Sequence, residues 1–304
     1  MADAPFTILL YHGVSRSVHY GLENCSRKHV SADDFDAQMR LLSKTGRVSS
    51  LTDLLDESQR GSPVGGRVAV TFDDGFENNY SVAFPILQRH GVPATFFLTT
   101  GFIGTSRVFW VDKLEYLVNE APVDDIALTT LGRRFSLASL DSRVIALREI
   151  KRVLKGCPSL VDETVAELEA VSGVTPKYDY PDYRMMNWDQ VVEMQRSGLC
   201  DFGGHTVDHA ILSHLPRAEK EFQVHQSKIT MEEELGRPVA LFAYPEGQQD
   251  HFNDEVIDVV RQAGFAAAAS AIFGQNTAAT SLYWLQRNMV EFVAPFDNCL
   301  TGLR

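Results

Sequence analysis

The sequence predicts an α/β protein: a mostly parallel sheet or barrel with helices packed outside it. Three observations carry this expectation. Short apolar runs alternate along the chain with segments whose apolar residues recur at helical spacing. The residues able to carry chemistry fall directly after those runs, at the strand ends where parallel α/β folds build their sites. Finally, 304 residues, 44% of them hydrophobic, are enough to bury one large core.

The first unit is an apolar strand over residues 6–11, a loop through Val30, and a helix opened by Ser31. Asp34 stands three positions after Ser31, close to a capping box, and Phe35, Met39, Leu41 and Leu42 follow at helical spacing. A strand over 68–72 comes next, then a helix over about 79–90 that stops at Gly91 and Pro93. The segment 94–99 is rich in Thr and Phe, which favour strands.

From about 101 to 183 the pattern changes. Residues 110–120, 143–154 and 160–171 each read as helices, separated by Gly, Pro and Asp, so a helical insertion within one domain spanning 1–304 is expected. A second domain is the rival reading, but few β-branched runs occur there to supply a separate core. Alternation then resumes with helices over 188–197, 218–235 and 254–262. Strands over 200–203, 239–244 and 266–270 follow them in turn, and a final strand is expected over 282–290.

A formal charge of -12 with no basic run argues against nucleic acid and against anionic membrane surfaces. No apolar stretch approaches the roughly 18 residues of a membrane span. Residues 1–5 carry no basic n-region, and the following apolar run leads straight into His12-Gly13 with no small-residue cleavage site, so a cytoplasmic protein is expected. Cys25, Cys157, Cys200 and Cys299 lie far apart without CxxC spacing, which fits reduced thiols.

Three local patterns stand out. Thr71-Phe72-Asp73-Asp74-Gly75 follows an apolar strand, and two adjacent carboxylates there repel unless a cation or hydrogen bonds compensate. Such residues also serve as helix caps and turns. Gly203-Gly204-His205-Thr206-Val207-Asp208-His209 places two histidines four apart, which on a helical turn would share one face and reach one ion. With Asp74 as a third ligand, two imidazoles and a carboxylate leave a position open for water, as catalytic sites do; an exposed helical face without metal is the bland alternative. Phe242-Ala243-Tyr244-Pro245-Glu246-Gly247 is a strand end turning on Pro and Gly, ordinary turn chemistry by itself.

Together and in this order, these patterns resemble the polysaccharide deacetylase family, carbohydrate esterase family four. The resemblance covers most of the chain, from Leu10-Tyr11-His12-Gly13-Val14 through Ala94-Thr95-Phe96-Phe97 and Asn187-Trp188 to Tyr244, Pro245, Glu246 and Gly247. It implies a distorted (β/α) barrel of about seven strands holding a divalent metal, usually zinc, at the C-terminal strand ends. Asp74, His205 and His209 match the family's metal ligands, and Asp73 its general base. Water activated by the metal would attack the acyl carbonyl while Asp73 takes a proton. A backbone N–H near Pro245-Glu246-Gly247 would help hold the oxyanion, with Tyr244 and Trp188 as further substrate-side candidates.

Two departures matter. Many members carry an Arg two residues before the Pro of the third motif, where it orients the base; here Ala243 stands in its place, and Arg287 is the candidate to supply that cation from another strand. The C-terminal Leu-x-His motif that supplies a general acid is also missing, which makes His12 the candidate acid.

The activity expected is removal of an N-acetyl or N-formyl group from an amino sugar, in a glycan or an intracellular glycan precursor. Tyr183, Trp188, Trp110 and Phe109 are candidate sugar-stacking residues, with core packing the alternative for each. A non-catalytic carbohydrate-binding protein on the same barrel is the competing reading. Retention of Asp73 beside three ligands speaks against it, and loss of the Arg at position 243 speaks for it.

Overall fold

The computed structural model describes residues 4–290 together with Phe296. They fall into two compact units: one comprises residues up to Arg16, Lys28–Thr105 and the chain from Met185 on; the other comprises Ser17–Arg27 and Ser106–Arg184.

The first unit is built on seven strands: β1 (Thr7–Tyr11), β2 (Val68–Phe72), β3 (Ala94–Leu98), β4 (Cys200–Gly204), β5 (Leu241–Ala243), β6 (Ala267–Ala269) and β7 (Asn288–Met289). Their order is β6-β5-β4-β3-β2-β1-β7, and every pairing is parallel. A parallel bridge between Ala269 and Leu285 ties the segment before β7 back to β6, so the sheet curls on itself. This is the expected distorted barrel of seven strands.

Both faces of the sheet are covered at its centre, which is why β1, β2 and β3 read as mostly apolar, fully buried runs. One face stacks Tyr11, Phe72, Phe96 and Phe202 ring on ring, with Phe72 and Phe96 4.7 Å apart and nearly parallel. The other face is filled by Ile8, Ala69, Phe97, Leu241, Ala243, Ala267, Ala269 and Leu285, where small residues alternate with large. The glycines of β4 answer to this crowding: a Cβ on Gly203 would lie 2.6 Å from the Phe97 ring and 2.7 Å from the Leu241 carbonyl oxygen.

Several local expectations are corrected. A helix over Leu51–Gln59, capped by Ser50, lies where the sequence pattern predicts none. Gly13–Ser15 and His29–Ser31 pair as short parallel strands in place of the expected loop. The final strand shrinks from 282–290 to Asn288–Met289, because the chain before it bonds to β6 and not to β1: Ala268 N–H donates to the Leu282 carbonyl, and Ser270 N–H to that of Leu285. Other expected strands and helices stand within a few residues of where the sequence puts them.

The second unit holds the helices Trp110–Glu120, Leu140–Gly156 and Val161–Val171, with an antiparallel hairpin of Asp125–Leu128 and Arg133–Ser136 that the sequence does not announce. Contrary to the expectation from its few β-branched runs, it buries a cluster of its own, formed chiefly by Leu114, Leu117, Leu147, Ile150, Leu154 and Leu168 at helical spacing. Arg143 ties two of these helices together, donating to the carbonyls of Val118, Asn119 and Ala121 at the end of the first. Among the described residues no helix is long and apolar enough to cross a membrane. Cys25, Cys157 and Cys200 are free, as expected of reduced thiols; the fourth cysteine, Cys299, lies outside the described residues.

Candidate active site

The acidic pair sits where β2 ends. The register of β1 and β2 sets Tyr11 beside Phe72, so His12 and Asp73 leave adjacent strands at the same level, and Asp73 N–H donates to the Tyr11 carbonyl at 3.0 Å. Asp74 then turns through a left-handed conformation (φ 74°) into Gly75 (φ 94°), and this turn directs the two neighbouring carboxylates into different surroundings.

Asp73 faces Arg287. The guanidinium donates from Nη1 to Asp73 Oδ1 and from Nη2 to Oδ2, both at 2.7 Å, while its Nε donates to the Ser270 carbonyl and its plane lies over the Phe97 ring. Arg287 is completely buried. Burial alone would push the Asp73 carboxyl up, but the Arg287 charge, then that of His205, outweighs it and holds the group below its usual range.

Asp74 faces the histidines. Its Oδ1 lies 3.6 Å from His205 Nε2 and 3.3 Å from His209 Nε2, and these three ligand atoms lie within 4.8 Å of one another. Burial raises the Asp74 carboxyl above its usual range, with the charges of His12 and then His205 opposing. Oδ1 is buried and makes no hydrogen bond among the described residues, an unsatisfied acceptor of the kind a cation would complete. His205 Nδ1 donates to the Ala243 carbonyl at 2.8 Å, so Nε2 presents its lone pair toward Asp74. Burial pushes His205 down to about 4, which keeps it neutral near pH 7. Donor chemistry, orientation and the orphaned oxygen all fit a divalent metal.

The histidine segment departs from the expected helical turn. His205 to His209 is a loop, with Thr206 at φ 65° and His209 at φ 58°, so the two imidazoles converge through left-handed residues and not through a shared helix face. Their rings meet edge to face, centroids 4.9 Å apart.

His12 is half-buried at the same rim, near enough for its charge to favour ionisation of both Asp73 and Asp74. Its carbonyl accepts from Asn79 Nδ2 at 2.7 Å, which pins the backbone there. The third motif divides differently. The Tyr244 ring is buried and stacked 4.2 Å from Phe252, its hydroxyl donates to the Tyr283 carbonyl, and its N–H donates to the Ala269 carbonyl, so Tyr244 is structural and not substrate-facing. Pro245 has no N–H, Gly247 N–H donates to the Pro245 carbonyl, and Glu246 between them takes a left-handed conformation (φ 59°). Trp188 opens the helix Trp188–Arg196, half-buried beside Gly104. Of the other aromatic candidates, Tyr183 and Phe109 are buried and Trp110 packs against the second unit's core, as packing residues do.

A sequence profile described as polysaccharide deacetylase matches residues 60–268. The Bacillus subtilis protein YxkH, a putative polysaccharide deacetylase by its name, is 33% identical over 104 residues, 33% of this chain and 34% of that one. A Staphylococcus aureus poly-beta-1,6-N-acetyl-D-glucosamine N-deacetylase is 24% identical over 176 residues, 56% of this chain and 59% of the relative. The chain thus spans between about a third and three-fifths of the length of these curated relatives. The Streptococcus pyogenes deacetylase PplD superposes over 99% of both chains with a TM-score of 0.65 at 19% identity. IcaB from Ammonifex degensii covers 97% of this chain and 94% of its own, with a TM-score of 0.62 at 20% identity. At such identities the structural likeness speaks for the fold. The profile, matching well over half the sequence and spanning both the acidic pair and the histidine loop, shows that the chain belongs to the polysaccharide deacetylase family.

Proposed function

We propose that this chain is a divalent-metal-dependent hydrolase that removes an N-acetyl, or N-formyl, group from an amino sugar of a glycan or glycan precursor. Family membership supports the reaction class. The observation that carries the rest is the division of the two acids: Asp73 locked onto a buried Arg287, and Asp74 turned toward two histidines with an unsatisfied oxygen.

In this reading Asp74, His205 and His209 hold the metal, with zinc the best match to two imidazoles and one carboxylate. When bound, it supplies Lewis-acid polarisation of the acyl carbonyl and of the attacking water. Asp73, kept ionised by Arg287, takes the proton from that water. The Ala243 carbonyl keeps His205 in the ligating tautomer, and His12 delivers a proton to the amine as it leaves. The two bonds from Arg287 to Asp73 support the reading that Arg287 stands in for the family's Arg at position 243, and so weaken the sequence feature that favoured a non-catalytic binder.

The substrates to test first are N-acetylglucosamine oligomers, the β-1,6-linked ones included, given the S. aureus relative. Chelator-treated protein should release no acetate, and protein reloaded with zinc should release acetate and free amine in equal amounts. Zinc-loaded protein that binds these oligomers without releasing acetate would favour the binder. A cytoplasmic setting, and hence a precursor substrate, belongs to the same proposal; fractionation of the natural host tests it.

A further inference from the structure

The loop that presents His209 does not hold its shape alone. Between His205 and His209 it passes through two left-handed, non-glycine residues, Thr206 and His209, a conformation that L side chains resist. On one side the barrel steadies it: Thr100 N–H donates to the Thr206 carbonyl at 3.1 Å and Gly101 N–H to the Val207 carbonyl at 2.8 Å. On the other side stands Gln223, from the helix Arg217–Leu235.

The Gln223 amide uses both ends on this loop. Its Oε1 accepts from Val207 N–H at 3.0 Å and from Asp208 N–H at 2.9 Å, and its Nε2 donates to Asp208 Oδ2 at 2.9 Å. Gln223 is 8% exposed, so water competes weakly for these groups. An amide suits the task as a carboxylate or ammonium would not, because the loop presents two donors and one acidic acceptor to the same side chain.

We infer that Gln223 is a positioning residue for metal binding: it fixes the left-handed His205–His209 loop so that the His209 imidazole meets Asp74 and His205 before any ion arrives. The inference rests on the metal reading of that cluster. It adds a residue that belongs to none of the three motifs. Such outer partners commonly change metal affinity by about 10- to 100-fold when lost.

The test is zinc affinity, measured by competition with a chromophoric chelator, together with the melting temperature of the metal-free protein. Gln223→Ala should weaken zinc binding by about 10-fold or more. Gln223→Glu should weaken it too, since the new carboxylate keeps the two accepted bonds but faces the Asp208 carboxylate. Adding Asp208→Asn to Gln223→Glu rebuilds all three bonds with the amide and carboxylate exchanged, and should bring affinity back to within a few-fold of wild type. A role in general folding alone would lower the metal-free melting temperature without this pattern in zinc affinity, and that outcome overturns the inference. Zinc binding by Gln223→Ala that equals wild type, or an exchanged pair as weak as Gln223→Glu alone, overturns it as well while leaving the metal site standing. Wild-type protein that takes no zinc overturns both.

Discussion

Arg287 meets Asp73 across 214 positions of sequence and closes two parallel 2.7 Å bonds on its carboxylate. A buried fork of this kind fixes the direction of the acid as well as its charge. It also makes each partner costly to remove singly.

The first prediction concerns that cation. In wild type the guanidinium overrides burial and keeps the Asp73 carboxyl below its usual range. In Arg287→Met burial remains and the opposing charge is gone, so the carboxyl stays protonated to higher pH. The acid limb of the pH profile of kcat/KM should therefore move to higher pH, with part of the activity recovered on the alkaline side. Arg287→Lys should fall between the two, because one ammonium cannot make both bonds. Profiles with the same acid limb in all three proteins would exclude Arg287 as the residue that keeps the base ionised.

Asp73→Asn changes charge and not shape. Turnover should fall by about a hundredfold or more, as for loss of a general base, while zinc stoichiometry is kept. The structure adds a second consequence: Arg287 is left as a buried charge without its counter-ion, an effect on the order of 3–5 kcal/mol. Denaturant midpoints should therefore drop in Asp73→Asn, and a combined Asp73→Asn, Arg287→Met protein should lose less stability than the two single losses added. If Asp73→Asn instead loses zinc in proportion to activity, Asp73 is a ligand.

Metal content gives the third prediction. Purified protein should carry about one divalent ion per chain. His205→Ala with His209→Ala should carry none, and Asp74→Asn should bind weakly. Elemental analysis reads this directly, and full occupancy in the double histidine variant would place the ion elsewhere.

How far the sequence speaks for itself varies by element. The central barrel strands are legible because both faces of β1, β2 and β3 are covered, so each appears as a mostly apolar run closed by a turn or a site residue. The acidic pair and the two histidines are legible as types and spacings. Their geometry is not: the spacing of His205 and His209 fits a helical turn, and only the backbone shows the left-handed loop that replaces it. Gln223 is silent for the same reason, since nothing local marks a glutamine that bonds a loop 15 residues earlier. The second unit's core escapes a search for β-branched runs because leucine is its commonest residue, and its β-branched members Val118, Ile126, Ile150 and Val165 stand singly along the chain. Tyr244 reads as a substrate contact because its neighbours in sequence are site residues, whereas alternation past the end of β5 turns its ring toward Phe252.

The last prediction is that His12 protonates the leaving amine. Amide hydrolysis ends with an amine that departs only as it gains a proton, and Asp73, held by both Arg287 nitrogens, is committed to the attacking water. His12 stands at the same level of the rim on the neighbouring strand, with its backbone pinned by Asn79 and its charge felt by both carboxylates. His12→Ala should bind zinc as wild type does, lose most of its activity on an N-acetyl amide, and lose much less on an activated acetyl ester, whose leaving group departs without a proton. Steady-state rates of both proteins on both substrates, at matched zinc occupancy, make the comparison. Equal losses on amide and ester would assign His12 to substrate binding or packing, and an unchanged amide rate would take it out of the mechanism.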